Sequence, residues 1–131
     1  MITEKRKIGN KGESLACRFL EINKYSIVER NFLTKYGEID IIAKKGNSIH
    51  FIEVKSISRE SPNKLSREPN YRPEENVHPE KLRRLSRTIQ IYFSANNIDQ
   101  ENMDWQFDVI TVTIYEKNKI AKIKFIKDVV I

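Results

Sequence analysis

One cysteine and two histidines in 131 residues leave little room for thiol or zinc chemistry. Cys17 has no partner for an internal disulfide, and inside the apolar helical pattern around it buried filler is its expected role. His50 and His78, isolated from each other and from that thiol, exclude an ordinary structural zinc site, which takes four cysteine or histidine ligands. Long hydrophobic runs are missing as well. No window approaches the roughly 18 apolar residues of a transmembrane helix. The opening "MITEKRKIGNKGES" lacks the apolar stretch of a signal peptide. A cytoplasmic location and no membrane partner are therefore expected. There is no internal repeat.

What the chain has is charge. Charged residues make up 32% and hydrophobic residues 39% of the sequence, the balance of an ordinary globular protein. A length of 131 residues fits one domain over 1–131, able to bury roughly two-thirds of its unfolded surface without disulfides or a structural metal. The net charge of +6 favours a polyanionic partner such as nucleic acid. Its distribution is uneven. Residues 1–11 and 79–94 each carry four cations against one acid, and 115–131 carry five against two, whereas 95–114 hold four acids and no cation. That pattern suits a phosphate-binding rim around an acidic centre.

Periodicity predicts a first helix in "NKGESLACRFLEINKY", with Leu15, Phe19 and Ile22 on one stripe. Asn10 and Glu13 are spaced as a capping box at its start. "SIVERNFL", "GEIDIIAKK" and "SIHFIEVKS" read as three strands, the last two joined by a turn at Gly46-Asn47. From Ser56 to His78 the chain has three prolines and four charges of each sign, which predicts a long mobile loop. "PEKLRRLSRTIQIYFSANN" is a second helix opened by Pro79. "WQFDVITVTIY" and "KIAKIKFIK" form a final strand pair. The predicted order is αβββαββ, an α/β fold.

The hairpin carries the chemistry. Side chains alternate across a strand, so Glu53 and Lys55 share one face of their strand, as Glu38 and Asp40 share one of theirs. Pairing through the Gly46-Asn47 turn brings Asp40 toward Glu53 and Lys55. Carboxylates beside the apolar runs "IDIIA" and "HFIEV" repel one another and lose hydration unless something compensates. A divalent cation is the natural compensation: Mg²⁺ characteristically takes one or two protein carboxylates and completes its shell with water and substrate phosphate. Asp40 and Glu53 match that count, and Lys55 stands where an ammonium can stabilise charge on a phosphate.

Asp40 with "EVK" (Glu53, Val54, Lys55) thirteen residues on resembles the D…ExK motif of restriction-endonuclease-like nucleases. The words "GES" with Ala16, "RN" (Arg30, Asn31), "GEIDIIA", "FIEVK", Lys81 and "FDVITV" (107–112) together resemble the YraN family of endonuclease-like proteins, which is similar to archaeal Holliday junction resolvases. The resemblance implies a restriction-endonuclease-like fold, a mixed central sheet flanked by helices, acting on DNA, branched DNA included, with Mg²⁺ or Mn²⁺. It implies Asp40 and Glu53 as metal-binding carboxylates, Lys55 as the catalytic lysine, Glu13 as an additional acidic position and Glu38 as the Glu of "GEID". Symmetric junction cleavage needs two active sites and hence a homodimer. One position departs from the family pattern: Ile57 stands where an Arg is common, and the next Arg is Arg59.

Each assignment has a plainer alternative. Glu53 and Lys55 also suit an exposed edge-strand face, Glu13 the capping box, and Glu38 a solvated strand start. His50 reads as a satisfied sheet histidine, His78 as a helix boundary, Asp108 as the partner of a backbone N–H and Trp105 as core. Lys81, Arg84 and Arg87 form either a solvated helix face or a DNA phosphate contact. A non-catalytic DNA-binding or accessory protein with the same fold stands as the rival function.

Overall fold

The computed structural model describes residues 2–60 and 78–131. Helix α1 spans Glu4–Ile22 and is followed by strands β1 (Ser26–Thr34), β2 (Gly37–Lys45) and β3 (Ser48–Arg59). Helix α2 (Pro79–Ala95), a 3-10 turn at Gln100–Asn102, β4 (Asp104–Tyr115) and β5 (Ile120–Ile126) complete the order. The sheet runs β1-β2-β3-β4-β5. Among the described residues only β3 and β4 pair in parallel; the other three pairs are antiparallel. A parallel neighbour requires a long crossover, and α2 lies within it.

The two helices cover opposite faces of the sheet. Ala16, Cys17 and Leu20 of α1 pack on Ile41, Ala43, Ile52, Ile110 and Val112. Ile89, Tyr92 and Phe93 of α2 pack on Ile42, Ile49, Phe51 and Val109. Isoleucine, valine and phenylalanine on both faces of β2, β3 and β4 follow from a sheet buried on both sides. Trp105 is part of the α2-side core, 5.9 Å from Phe51 and 6.1 Å from Phe93 between ring centroids. The β2–β3 turn is the expected Gly46-Asn47 pair, with Gly46 at φ 61°, a left-handed value glycine adopts without a Cβ clash.

Two boundaries differ from expectation. α1 begins six residues before Asn10: Thr3 is its N-cap, its Oγ1 accepting from Arg6 N at 3.2 Å. "EKRKIGNK" offers Ile8 alone to the core, so apolar periodicity is silent there, while Lys and Arg are good helix formers. The Asn10–Glu13 capping box therefore does not form, and Glu13 sits mid-helix. β3 continues to Arg59, so residues 56–59 are strand rather than loop, held by β4 as far as Arg59↔Tyr115. The rest of the expected mobile loop, 61–77, lies outside the described residues. His78 caps α2 as expected, its Nδ1 accepting from Glu80 N at 3.2 Å.

Gly12 sets how closely α1 approaches β3. A Cβ on it would overlap Ser56 Oγ and lie 2.7 Å from Ser56 Cβ. The hydroxyl can rotate away, but the Cβ moves only with the backbone. Gly12→Ala is accordingly expected to destabilise by about 1–3 kcal/mol despite alanine's better helix propensity. Urea denaturation checks this, and Ser56→Gly in the same chain should recover most of the loss. A single variant as stable as wild type would contradict this close approach.

Candidate active site

The site is a split in the sheet. The β2–β3 ladder ends at Ile41↔Ile52. One step further along that register Asp40 would face Glu53, but there the strands part. Residues 37–39 of β2 pair only with β1, and 53–59 of β3 only with β4. Asp40 spans the opening: its Oδ2 accepts from Val54 N at 2.7 Å, which sets the carboxylate on the β3 backbone between Glu53 and Lys55. The hairpin thus brings Asp40 to the β3 backbone beside Glu53, but the two carboxylates line different openings, Asp40 the cleft on the α1 side and Glu53 the pocket on the α2 side.

Asp40 is mostly buried, and its pKa is raised to about 7. Burial is the main cause. The Val54 N–H bond opposes it, and the nearby charges of Glu13, Glu53 and Glu38 add to the rise. Each of the other carboxylates is handled differently. Glu13 Oε1 accepts from Arg30 Nε and Asn31 Nδ2, both at 3.0 Å. Asn31 falls opposite Asp40 in the β1–β2 register and has a left-handed φ of 55°, which asparagine tolerates better than most residues. Glu53 Oε1 is 3.4 Å from Lys81 Nζ, in a partly exposed pair. Glu38 is exposed at the start of β2 and lines the openings on both sides of the split. Lys55 is partly buried on β3, on the same strand face as Glu53 and opposite Thr111 in the β4 register.

Cations flank the split on two sides. Lys5 and Arg6 of α1 share a cleft of about 650 Å³ with Glu13, Glu38 and Asp40. Lys81 and Arg84 share a pocket of about 180 Å³ with Glu38 and Glu53 on the α2 side. The third basic segment does not join them. Lys122 and Lys124 lie on β5, two strands beyond β3, where lysines discourage pairing at a sheet edge. The expected cation face of α2 also divides. Lys81 meets Glu53, Arg84 pairs with Glu80 at 3.5 Å, and Arg87 lies over the Tyr36 ring at 5.4 Å. Arg59 is the next Arg beyond Ile57. It is four residues beyond Lys55, about 13 Å along an extended strand, and at the exposed end of β3.

Among the described residues no three of His, Cys, Asp and Glu gather closely enough to hold a metal ion by themselves. That excludes a closed all-protein cage there, but not the Mg²⁺ pattern, which needs one or two carboxylates. Asp40 fits such an ion: a carboxylate hydrogen-bonded through one oxygen and pushed toward protonation chiefly by burial and further by its acidic neighbours. Glu53 is the other carboxylate at the split, on its α2 side. Its partly exposed pair with Lys81 contributes only about 0–1 kcal/mol.

Other candidates are structural. His50 Nδ1 and Asp108 Oδ2 are 2.7 Å apart in the interior, and Asp108 Oδ1 accepts from Gln106 Nε2 at 2.7 Å and from Asp128 N at 2.8 Å. Cys17 is buried, and burial raises its thiol pKa, which makes it a poor nucleophile. No helix among the described residues is long and apolar enough to cross a membrane. The hold of Arg30 and Asn31 on Glu13 is not legible in strand alternation. The available signal was "ERN", a polar run inside an otherwise strand-like segment.

Fold and site together define an α/β protein with a five-stranded mixed sheet and a carboxylate-lined split between two antiparallel strands. The profile of the uncharacterised protein family UPF0102 matches residues 12–112, from the close-approach glycine to the middle of β4. A "UPF0102 protein" of Caldicellulosiruptor saccharolyticus is 38% identical over 124 residues, 95% of this chain and 97% of the relative. One of Helicobacter pylori is 40% identical over 82% of each chain. Another, of Helicobacter hepaticus, is 43% identical over 72% of this chain and 76% of its own. The chain belongs to the UPF0102 family.

Proposed function

We propose that this protein is a metal-dependent DNA endonuclease of the restriction-endonuclease-like class. One observation carries the reading: the Asp40 carboxylate spans the strand split onto the Val54 N–H, with its pKa raised to about 7 by burial and by Glu13, Glu53 and Glu38. A carboxylate kept in that environment suits cation binding better than fold stability. Asp40 and Glu53 would hold Mg²⁺ or Mn²⁺, which supplies Lewis acidity for phosphodiester hydrolysis. Lys55 stabilises the charge that builds on the phosphate oxygens. Arg30 and Asn31 position Glu13, which sustains the negative potential around Asp40. Glu38 is a supporting group at the mouth of the split. Lys5 and Arg6 on one side, with Arg84 on the other, bind flanking phosphates; Lys81 joins them once it leaves Glu53. Branched DNA is the substrate the resolvase resemblance favours, with a homodimer supplying the second site.

The rival reading, a DNA-binding protein without catalysis, is favoured by the Glu53–Lys81 pair, which balances the second carboxylate without an ion, and by Ile57 in place of the family's Arg. Cleavage of labelled four-way junction, flap and linear DNA with Mg²⁺ or Mn²⁺ decides between them. Wild type should cleave at least one substrate, and Glu53→Ala should bind it without cleaving. Binding without metal-dependent cleavage by either protein would establish the rival.

A further inference from the structure

The turn between β1 and β2 places Tyr36 on the boundary of two cavities. One is the pocket of about 180 Å³ that holds Glu53 and Lys81. The other is an open groove lined by Lys35, Tyr36, Glu80, Arg83, Arg84 and Arg87. Tyr36 and Arg84 line both. The groove thus carries four cations and one carboxylate, and that carboxylate is engaged by Arg84 at 3.5 Å. Over the Tyr36 ring stand Lys35 Nζ, 5.2 Å from its centroid, and Arg87 Cζ, 5.4 Å from it. A hydrogen bond from Arg87 and the charge of Lys35 draw the tyrosine pKa below its usual value.

Cations alone suffice for duplex phosphates, and an aromatic ring adds nothing to them. Ring and cations together are what an unpaired nucleotide uses: the base stacks on the ring and the phosphates meet the guanidinium groups. A cation over a partly exposed ring such as Tyr36 contributes no more than a base stacked on one. A base therefore displaces Lys35 or Arg87 from the ring and releases that charge to the backbone.

Building on the nuclease reading, we infer that Tyr36 is a stacking platform for an unpaired nucleotide beside the cleaved bond, with Arg84 and Arg87 on its phosphates. The preferred substrate is then DNA with a single-stranded segment that enters across the β1–β2 turn. The groove offers a ring and cations rather than an amide aimed at a base edge, so the contact is indifferent to sequence.

Binding of a labelled oligothymidylate and of a blunt hairpin duplex, measured by anisotropy in EDTA with the full chain, tests this. Tyr36→Ala should weaken oligothymidylate binding by about tenfold and leave the duplex unchanged. Tyr36→Phe and Tyr36→Trp should bind as wild type does. A 2-aminopurine in the oligonucleotide should be quenched by wild type and by Tyr36→Phe, but not by Tyr36→Ala. Unchanged oligothymidylate binding by Tyr36→Ala, an equal loss for both DNAs, or a Tyr36→Phe variant as weak as Tyr36→Ala would each overturn the inference. Because EDTA removes cleavage from the readout, failure of the nuclease reading would appear separately, as wild type that binds and never cuts with metal present.

Discussion

Asp40→Asn is expected to have two opposite effects: it should remove cleavage and stabilise the metal-free fold. Cleavage should fall by at least about 10³-fold, the several kcal/mol of transition-state stabilisation that a bound cation supplies. Divalent-ion binding measured by calorimetry should be lost with it. The stability effect follows from the pKa of about 7 against an ordinary 3.8. A carboxyl group whose folded pKa is raised holds its proton more tightly in the fold than in the unfolded chain. Its favourable contribution is complete below pH 3.8 and disappears as pH rises through 7. Across that window wild type should lose on the order of 2–4 kcal/mol relative to a variant neutral at every pH. An asparagine oxygen can still accept from Val54 N, so the fold keeps that bond. Urea denaturation in EDTA at pH 5 to 8 checks this: the variant should gain on wild type as pH rises. Parallel profiles would mean that Asp40 is not held against its own ionisation, and the case for a cation there would weaken.

The second large effect belongs to Lys55. Lys55→Ala should lower kcat by about 10²–10³-fold, the usual cost of removing a group aimed at charge that develops in the transition state. It should leave divalent-ion affinity equal or slightly higher, since a positive charge has left the vicinity of Glu53. KM should change much less than kcat. Loss of ion binding along with activity would instead assign Lys55 a role in holding the site together. Unchanged cleavage would remove it from the mechanism.

The hairpin was the most legible part of the chain. Alternation placed Glu53 and Lys55 on one face, and the Gly46-Asn47 turn set the register that points Asp40 at Glu53. Local rules governed both, and the fold follows the first and departs from the second. What alternation did not reveal is that the ladder ends at Ile41↔Ile52. Asp40 reaches β3 through a side-chain bond to Val54 N rather than as a paired strand residue. The start of α1 is hidden for a related reason. Asn10 and Glu13 have capping-box spacing, but the Thr3 cap begins the helix earlier, and charged helix formers leave no apolar period to betray it.

Charge is spread over the fold differently from its spread along the chain. Three segments are basic, and two of them flank the split. The third lies on β5, because sequence separation from an acidic centre says nothing about which edge of a sheet a strand takes. Lys81 shows the same gap at finer scale. As part of a helix it looks like one cation among three, and its contact with Glu53 exists only because the β3–α2–β4 crossover returns the helix to the strand face that carries Glu53.

By itself, then, the sequence determined the order of elements, the Gly46-Asn47 turn and the set of charged residues that the hairpin carries. All of these are written in side-chain period and turn chemistry within a few residues. Tertiary structure alone decided the strand split, the Arg30–Asn31 clasp on Glu13, the Glu53–Lys81 pair and the position of Tyr36 between two cavities. Each of these joins residues from different elements, and their separation in space is set by how helices and sheet pack rather than by any local pattern.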